Sequence, residues 1–222
     1  MQHNPIVTPS QLSLPDRRIT VARRLVQLGI GLILFGVGIG LMLESGLGVP
    51  PWDVLHQGLA VRFGLTVGIW SIIVSAVVLL LWIPLKERIG IGTVANVIVI
   101  GLMIDAAAAV IPEPDSTPIA WAMLLGGVLL IGLASGLYIG ANFGPGPRDG
   151  LMTGIAKRGH SIRLTRTLIE VTVLAIGWAL GGTFGWGTVI FAVLIGPLVH
   201  FFLPRLTIPT ALVADPLGYE AR

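Results

Sequence analysis

The chain has 222 residues, of which 54% are hydrophobic and only 11% are charged. A soluble globular domain carries about 25% charged residues, so a chain this poor in charge is predicted to be a single domain embedded in lipid. The net charge of +3 is too small to indicate a nucleic-acid partner, and the absence of cysteine excludes disulfides and thiolate metal sites.

Several apolar segments are long enough to cross a bilayer, for which a helix needs roughly 20 mostly apolar residues. In chain order they lie at about 25–43, 67–84, 91–111, 119–141, 164–180 and 188–203. Glycines within 181–187 divide the last long apolar stretch into two of these spans. The sequence therefore predicts an all-α membrane protein with about six transmembrane helices.

The basic residues lie on one side of this arrangement. With a cytoplasmic N-terminus, every Lys and Arg except Arg62 falls in a cytoplasmic segment, as the positive-inside rule requires. The predicted tails 1–24 and 205–222 are then both cytoplasmic. Counting 49–63 and the segment around 147–160 as crossings gives eight spans and also satisfies the rule. However, about 14 helical residues reach only roughly 20 Å of a hydrocarbon core about 30 Å thick.

The second half of the chain repeats the first at a spacing of 95 to 96 residues. The matches pair 48–55 with 144–151, 90–93 with 185–188, Gly36 with Gly132, Gly40 with Gly136, and Gly101 with Gly196. Each copy holds three predicted crossings, so the second copy enters from the opposite side. We expect two inverted repeats, 25–112 and 119–204, joined by an external turn at 113–118. Inverted repeats are common in secondary transporters, whose sites lie near the midplane.

Each repeat leaves its first span through a segment rich in glycine and proline. Pro51 and Pro147 suit the first turn of a short helix, where the missing N–H has no cost. Asp53 and Asp149 fall in that turn, near the positive end of the helix dipole. Two interpretations follow. The segments are re-entrant helices that face a central cavity, or they are interfacial helices that the two aspartates cap, which is the simpler account.

One difference between the two copies is informative: the first has Trp52 where the second has Arg148. An arginine there can hold an anionic group bidentately or pair with an acid. At the inner interface it would only help to orient the chain, which is the simpler interpretation. The candidate substrate-binding residues are therefore Trp52, Asp53, Arg148 and Asp149.

Three further polar residues, Asp105, Glu170 and His200, lie within predicted spans. Ionisable residues inside a membrane usually face the bundle interior. Asp105 and His200 occupy matching positions in the two repeats and could form a proton-handling pair. Glu170 follows Arg166 by four residues, so a local ion pair is the simpler account of both. Histidine pairs at metal spacing, Walker motifs and nucleophile elbows are absent from the sequence, which predicts no metal, no cofactor and no enzyme activity.

Several segments together resemble the YczE/YyaS/YitT family of bacterial membrane proteins. They are 51–53, 146–152, 166–170, 177–182 and 185–188, and the resemblance extends over about 25–202. It implies a multi-pass protein of the bacterial plasma membrane. For some members it also implies an accessory role in secondary-metabolite production or export.

Two functions remain as expectations. Inverted repeats, broken spans and buried acids favour a small secondary transporter of an unknown small molecule. The small size and the resemblance favour a non-transporting accessory protein that docks a membrane partner. Both surround the chain with the lipid bilayer, and both are compatible with a homo-oligomer.

Overall fold

The computed structural model describes residues 17–208, with side chains from residue 21 onward. Within these residues the chain forms eight helices and no strand. They are α1 (Arg17–Glu44), α2 (Pro51–Phe63), α3 (Val67–Leu85), α4 (Ile91–Val110), α5 (Thr117–Gly140), α6 (Pro147–Ala156), α7 (Ile162–Ala179) and α8 (Trp186–Leu206). The predicted spans fall on α1, α3, α4, α5, α7 and α8. Residues 1–16 and 209–222 of the predicted tails lie outside the described residues.

Five of the described helices, α1, α3, α4, α5 and α8, are long and apolar enough to cross a bilayer. The chain is thus an all-α membrane protein. Helix α7 has 18 residues, but Arg163, Arg166 and Glu170 lie in its first half. Helices α2 and α6 have 13 and 10 residues. At a rise of 1.5 Å per residue they reach only about 20 and 15 Å, which argues against eight crossings.

Glycines allow the long helices to pack closely. Helix α1 packs against α4 and α5, and α5 also packs against α8. A Cβ atom built on Gly36 would lie 2.4 Å from the Cβ of Met103, and one built on Gly132 would lie 2.6 Å from the Cβ of Leu198. These distances are too short for any larger residue, so the glycine pattern marks helix contacts.

The loops that precede the two short helices are each held by a helix from the other half of the chain. The Thr188 hydroxyl, at the start of α8, donates a hydrogen bond of 2.8 Å to the carbonyl oxygen of Val49. The Thr93 hydroxyl, at the start of α4, donates one of 2.8 Å to the carbonyl oxygen of Pro145. These matched contacts connect the two halves at both short helices.

The main apolar core lies between α1, α4 and α5. Its almost completely buried members include Leu32, Ile39, Met42, Ile104, Leu124 and Ile131. Outward-facing side chains are apolar as well, among them Val77, Leu80, Val193 and Phe201. Lipid is the solvent consistent with such an outer surface, because it requires no polar covering.

Candidate functional site

Helix α2 begins inside the protein and ends at its surface. Gly48 has a φ of +114°, which a residue with a Cβ rarely adopts, and Pro51 starts the helix without losing a hydrogen bond. Trp52 and Asp53 are 7% and 0% exposed, whereas Phe63 at the other end is 63% exposed. The N-terminus of α2 therefore points inward.

Helix α6 is built in the same way. Gly144 also has a φ of +114°, and Pro147 is the buried first residue of the helix. The indole Nε1 of Trp82 donates to the Pro147 carbonyl oxygen at 3.1 Å. Gly150 leaves room for that ring, because a Cβ there would lie 2.0 Å from Cζ2 of Trp82. These contacts hold the N-terminus of α6 against α3.

The N-terminal turns of α2 and α6 meet through Arg148. Its Nη2 lies 3.6 Å from Oδ1 of Asp53, and its guanidinium lies 5.3 Å from the centroid of the Trp52 ring, within the range of a cation–π interaction. The Arg148 side chain is only 22% exposed. The guanidinium thus contacts an acid and an aromatic ring inside the protein, as the alternative interpretation of Arg148 as a binding residue requires.

The two aspartates bind side chains and do not cap their helices. Oδ1 of Asp53 lies 3.0 Å from Nδ1 of His56, one turn along α2. Oδ2 of Asp149 accepts a hydrogen bond of 2.7 Å from the hydroxyl of Tyr138 on α5. The capping interpretation is therefore wrong. His56, one turn further along α2, and Tyr138 on α5 take the place of the backbone N–H groups.

A central cavity of about 360 Å³ lies where the two short helices meet. The candidate residues that line it are Trp52, Asp53, Arg148, Asp149, Glu170 and His200. Its apolar wall includes Phe35, Ile100, Ile131, Met152, Ile195 and Leu203. The structure thus brings six of the seven candidate residues to one cavity, which combines charges of both signs with an apolar wall.

Three buried polar atoms near this cavity have no hydrogen-bond partner among the described residues. They are Nε1 of Trp52, Oδ2 of Asp53 and Nε2 of His56. Buried polar groups in proteins are nearly always hydrogen-bonded, so these three atoms are exceptions that cluster around Asp53. Within residues 17–208, no three His, Asp or Glu side chains are grouped so that they could hold a metal ion.

Asp105 lies away from the central cavity. Its Oδ1 accepts a hydrogen bond of 2.8 Å from the backbone N–H of Gly68, and its Oδ2 accepts one from the hydroxyl of Thr66. Asp105 thus binds the N-terminus of α3, where free N–H groups attract a carboxylate. It lines a second cavity with Glu44 and Glu113. The structure does not bring Asp105 and His200 together.

Glu170 forms the expected local ion pair. Its Oε1 lies 2.9 Å from Nε of Arg166, one turn earlier on α7. This confirms the simpler account of the two residues. Both also line the central cavity, so the pair supplies one acid and one base to its wall.

Sequence reasoning missed several polar residues of the cavity: Ser71, Ser75, Asn96, Ser135 and Tyr138. Ser71 and Ser75 are four residues apart and therefore lie on one face of α3, and both are buried. That spacing of polar residues within an apolar span was the signal that could have identified them. Tyr138 could have been found in the same way, three residues after Ser135.

Three proteins with similar sequences are described only as uncharacterized. An uncharacterized protein of Haemophilus influenzae is 43% identical over 173 residues, which cover 78% of this chain and 79% of the relative. The uncharacterized membrane protein YczE of Bacillus subtilis is 37% identical over 178 residues, covering 79% and 83%. The uncharacterized protein YyaS of the same organism is 33% identical over 184 residues, covering 79% and 90%. No solved structure matches the chain.

The family resemblance predicted from the motifs is confirmed for YczE and YyaS. A model of a family of unknown function also matches residues 22–204, which is most of the chain. The protein belongs to this family, DUF6198.

Proposed function

We propose that this membrane protein is a small secondary transporter, built from two inverted repeats, α1–α4 and α5–α8. Each repeat has one long helix, one short half-helix and two further long helices. The bonds from Thr93 and Thr188 to the opposite half-helix loops support this symmetry. So do the equal φ angles of Gly48 and Gly144.

The proposal requires α7 to be a sixth crossing. Its 18 residues reach about 27 Å at 1.5 Å per residue, which is close to the hydrocarbon thickness of about 30 Å. Arg166 and Glu170 are paired and line the central cavity, the usual arrangement for charged residues inside a membrane. With six crossings, both termini face the cytoplasm of a bacterial plasma membrane.

One observation carries the proposal most strongly: two half-helices start at the same cavity from opposite halves of the chain. Arg148 on α6 and Asp53 on α2 are 3.6 Å apart there. In many transporters, broken helices place their N-terminal ends at a substrate site near the midplane, between inverted repeats. Such a site serves binding and movement of a substrate, and our proposal includes no catalytic step.

The absence of cysteine from the chain allows a direct test. Ser75→Cys places one thiol at the central cavity, and a membrane-impermeant thiol reagent is applied to oriented vesicles from either side. A transporter should be labelled from both sides, because the cavity opens to each in turn. Ser116→Cys should be labelled only from the outside and Lys86→Cys only from the inside, which calibrates the vesicles.

The accessory function predicts a different labelling pattern. A protein that docks a partner has no need to open its cavity to both sides, so Ser75→Cys would react from one side or from neither. That result, with both calibration variants behaving as expected, would contradict the transporter proposal. Labelling of Lys86→Cys from the outside would contradict the topology itself.

A further inference from the structure

Arg148 and Asp149 are neighbours in the chain and bring opposite charges to the wall of the central cavity. Both side chains have hydrogen-bonding groups that are only partly satisfied. The contact of 3.6 Å between Arg148 and Asp53 is longer than a hydrogen bond, so the guanidinium keeps donors for another acceptor. Asp149 has only the neutral hydroxyl of Tyr138 as its hydrogen-bond partner among the described residues. Each of these two residues can therefore take a ligand group of the opposite charge.

Two nearly inaccessible side chains add to this arrangement. Trp52 is 7% exposed and Asp53 is 0% exposed, and both line the cavity. Nε1 of Trp52 is a hydrogen-bond donor without a partner, and Oδ2 of Asp53 is an acceptor without one. Both atoms belong to residues that contact Arg148, so the unsatisfied hydrogen-bonding groups lie at that end of the cavity wall.

We propose that the cavity binds a small zwitterion with an apolar body, an inference that rests on the proposed transporter function. The anionic group of the ligand binds the Arg148 guanidinium beside Trp52 and Asp53, and its cationic group binds the Asp149 carboxylate. The apolar body lies against Phe35, Ile131 and Met152. The cavity volume of 360 Å³ lies at the small end of the range of about 300–1,000 Å³ for small-molecule sites.

Ligands with a single charge fit this site less well. A purely anionic ligand on Arg148 would leave the Asp149 carboxylate facing it without a cation. A purely cationic ligand on Asp149 would face the Arg148 guanidinium. In a cavity with an apolar wall, an uncompensated charge is costly. Two half-helix N-termini add partial positive charge, which offsets the second aspartate and leaves the site close to neutral.

The test compares zwitterions with analogues that lack one charge. Leucine, phenylalanine and 5-aminopentanoate are each paired with their deaminated and decarboxylated analogues, and binding to the purified full-length protein is measured by thermal stabilisation in detergent. At least one zwitterion should bind about tenfold or more tightly than both of its analogues, because each analogue lacks one charge-assisted hydrogen bond. Binding by none of the three zwitterions, or tighter binding of an analogue, would overturn the proposal.

Two variants assign the charges. Asp149→Asn should reduce zwitterion affinity to that of the deaminated analogue, while the affinity for that analogue is kept. Arg148→Gln should do the same with respect to the decarboxylated analogue. Asp105→Asn, in the second cavity, is the matched control and should change neither affinity. Should Arg148→Gln fail to fold, Asp149→Asn decides alone, and an unchanged preference in that variant contradicts the proposal.

Transport and ligand class can fail separately. Zwitterion binding with the expected response to Asp149→Asn, but without uptake into proteoliposomes, would retain the site and remove the transporter function. Uptake of the 3-methylbutylamine or 4-methylpentanoate analogues, without binding of zwitterions, would retain the transporter and remove the proposed ligand class.

Discussion

Helices α3 and α4 end the first half of the chain and helices α7 and α8 end the second half, yet only the first pair is packed together along its length. We call the boundary between α3 and α4 the closed seam and the boundary between α7 and α8 the open seam. Helix α3 packs along α4, whereas α7 and α8 make almost no contact. A Cβ built on Gly101 of α4 would lie 2.5 Å from Cγ1 of Ile72. One built on the matching Gly196 of α8 meets nothing within 4 Å.

Two positions explain the difference. In the closed seam, Gly68 allows the backbones to touch, since a Cβ there would lie 2.0 Å from the carbonyl oxygen of Gly101, and Asp105 binds the start of α3. At the matching positions the open seam has Leu164, which is 57% exposed, and His200. A shared glycine therefore does not by itself bring the helices together, and the closed seam also has a small partner, Gly68, and a bond at the helix end.

The largest expected effect comes from forcing the open seam shut. In the cysteine-free chain, Leu168→Cys with Gly196→Cys reproduces the position of Ile72 beside Gly101. If α7 and α8 close during transport, an oxidant should form a disulfide, which needs Cβ atoms about 3.5–4.5 Å apart, and ligand uptake should be abolished. Uptake should return when the disulfide is reduced. The control pair, Leu168→Cys with Leu194→Cys, should not cross-link, because its second cysteine lies on the opposite side of α8.

A stability comparison tests the two glycines. Gly101→Ala should destabilise the protein by about 1–3 kcal/mol, the usual cost of overpacking, because the new methyl meets Ile72 and the Gly68 backbone. Gly196→Ala should be neutral or stabilising, since alanine favours a helix by up to about 1 kcal/mol over glycine. Thermal denaturation in detergent measures both. Equal losses would mean that the two seams are packed alike.

A smaller effect is expected at the polar bond of the closed seam. Asp105→Ala removes the acceptor for the Gly68 N–H and should cost about 1 kcal/mol, as the loss of a helix cap does. Asp105→Asn keeps an oxygen in the same place and should retain most of the stability. Thermal denaturation of both variants and of the unsubstituted protein measures these effects. If all three melt at the same temperature, the bond contributes nothing to closure.

The smallest expected effect is a gain of contact in the open seam. His200→Asp introduces the residue of the closed seam, and the α7 N-terminus has no side-chain cap of its own. A carboxylate near a helix start contributes about 0.3–1 kcal/mol, which would favour contact between α7 and α8. A thiol reagent that enters through the open seam should therefore label Ser75→Cys more slowly, by a factor of about two to five. His200→Ala is the control. Faster labelling of the aspartate variant would refute an attraction between position 200 and α7.

Much of the fold could be predicted because the signals are local. Uninterrupted apolar stretches located the long helices, and Gly-Pro segments located the starts of α2 and α6, where Pro51 and Pro147 stand at the first position. Of the six predicted spans, only the one on α7 is not among the described helices apolar enough to cross a bilayer, because Arg163, Arg166 and Glu170 reduce its apolar character. The pairing of Arg166 with Glu170 within one helix was also predictable, since a spacing of four residues settles it.

The site was predictable only in part. Trp52, Asp53, Arg148 and Asp149 were identified by comparing the two copies of the segment, but side-chain partners replace the helix caps that were preferred for Asp53 and Asp149. Nothing in the local sequence shows that Tyr138 donates to Asp149, whereas the three-residue spacing of Asp53 and His56 on one helix permits their contact. Asp105 and His200 occupy matching positions in the two halves of the sequence. In the structure, however, Asp105 binds the start of α3, whereas His200 lines the central cavity.

The sequence by itself determined the solvent of this protein, the positions of its long helices and the two breaks that start the half-helices. Hydrophobicity and backbone geometry act over a few residues, so they can be read along the chain. Only the tertiary structure decided that Arg148 lies over Trp52 beside Asp53, and that one seam is closed while the other is open. The first outcome depends on side chains about half a chain apart and the second on residues in different helices, and in both cases the distances are set only when the helices pack.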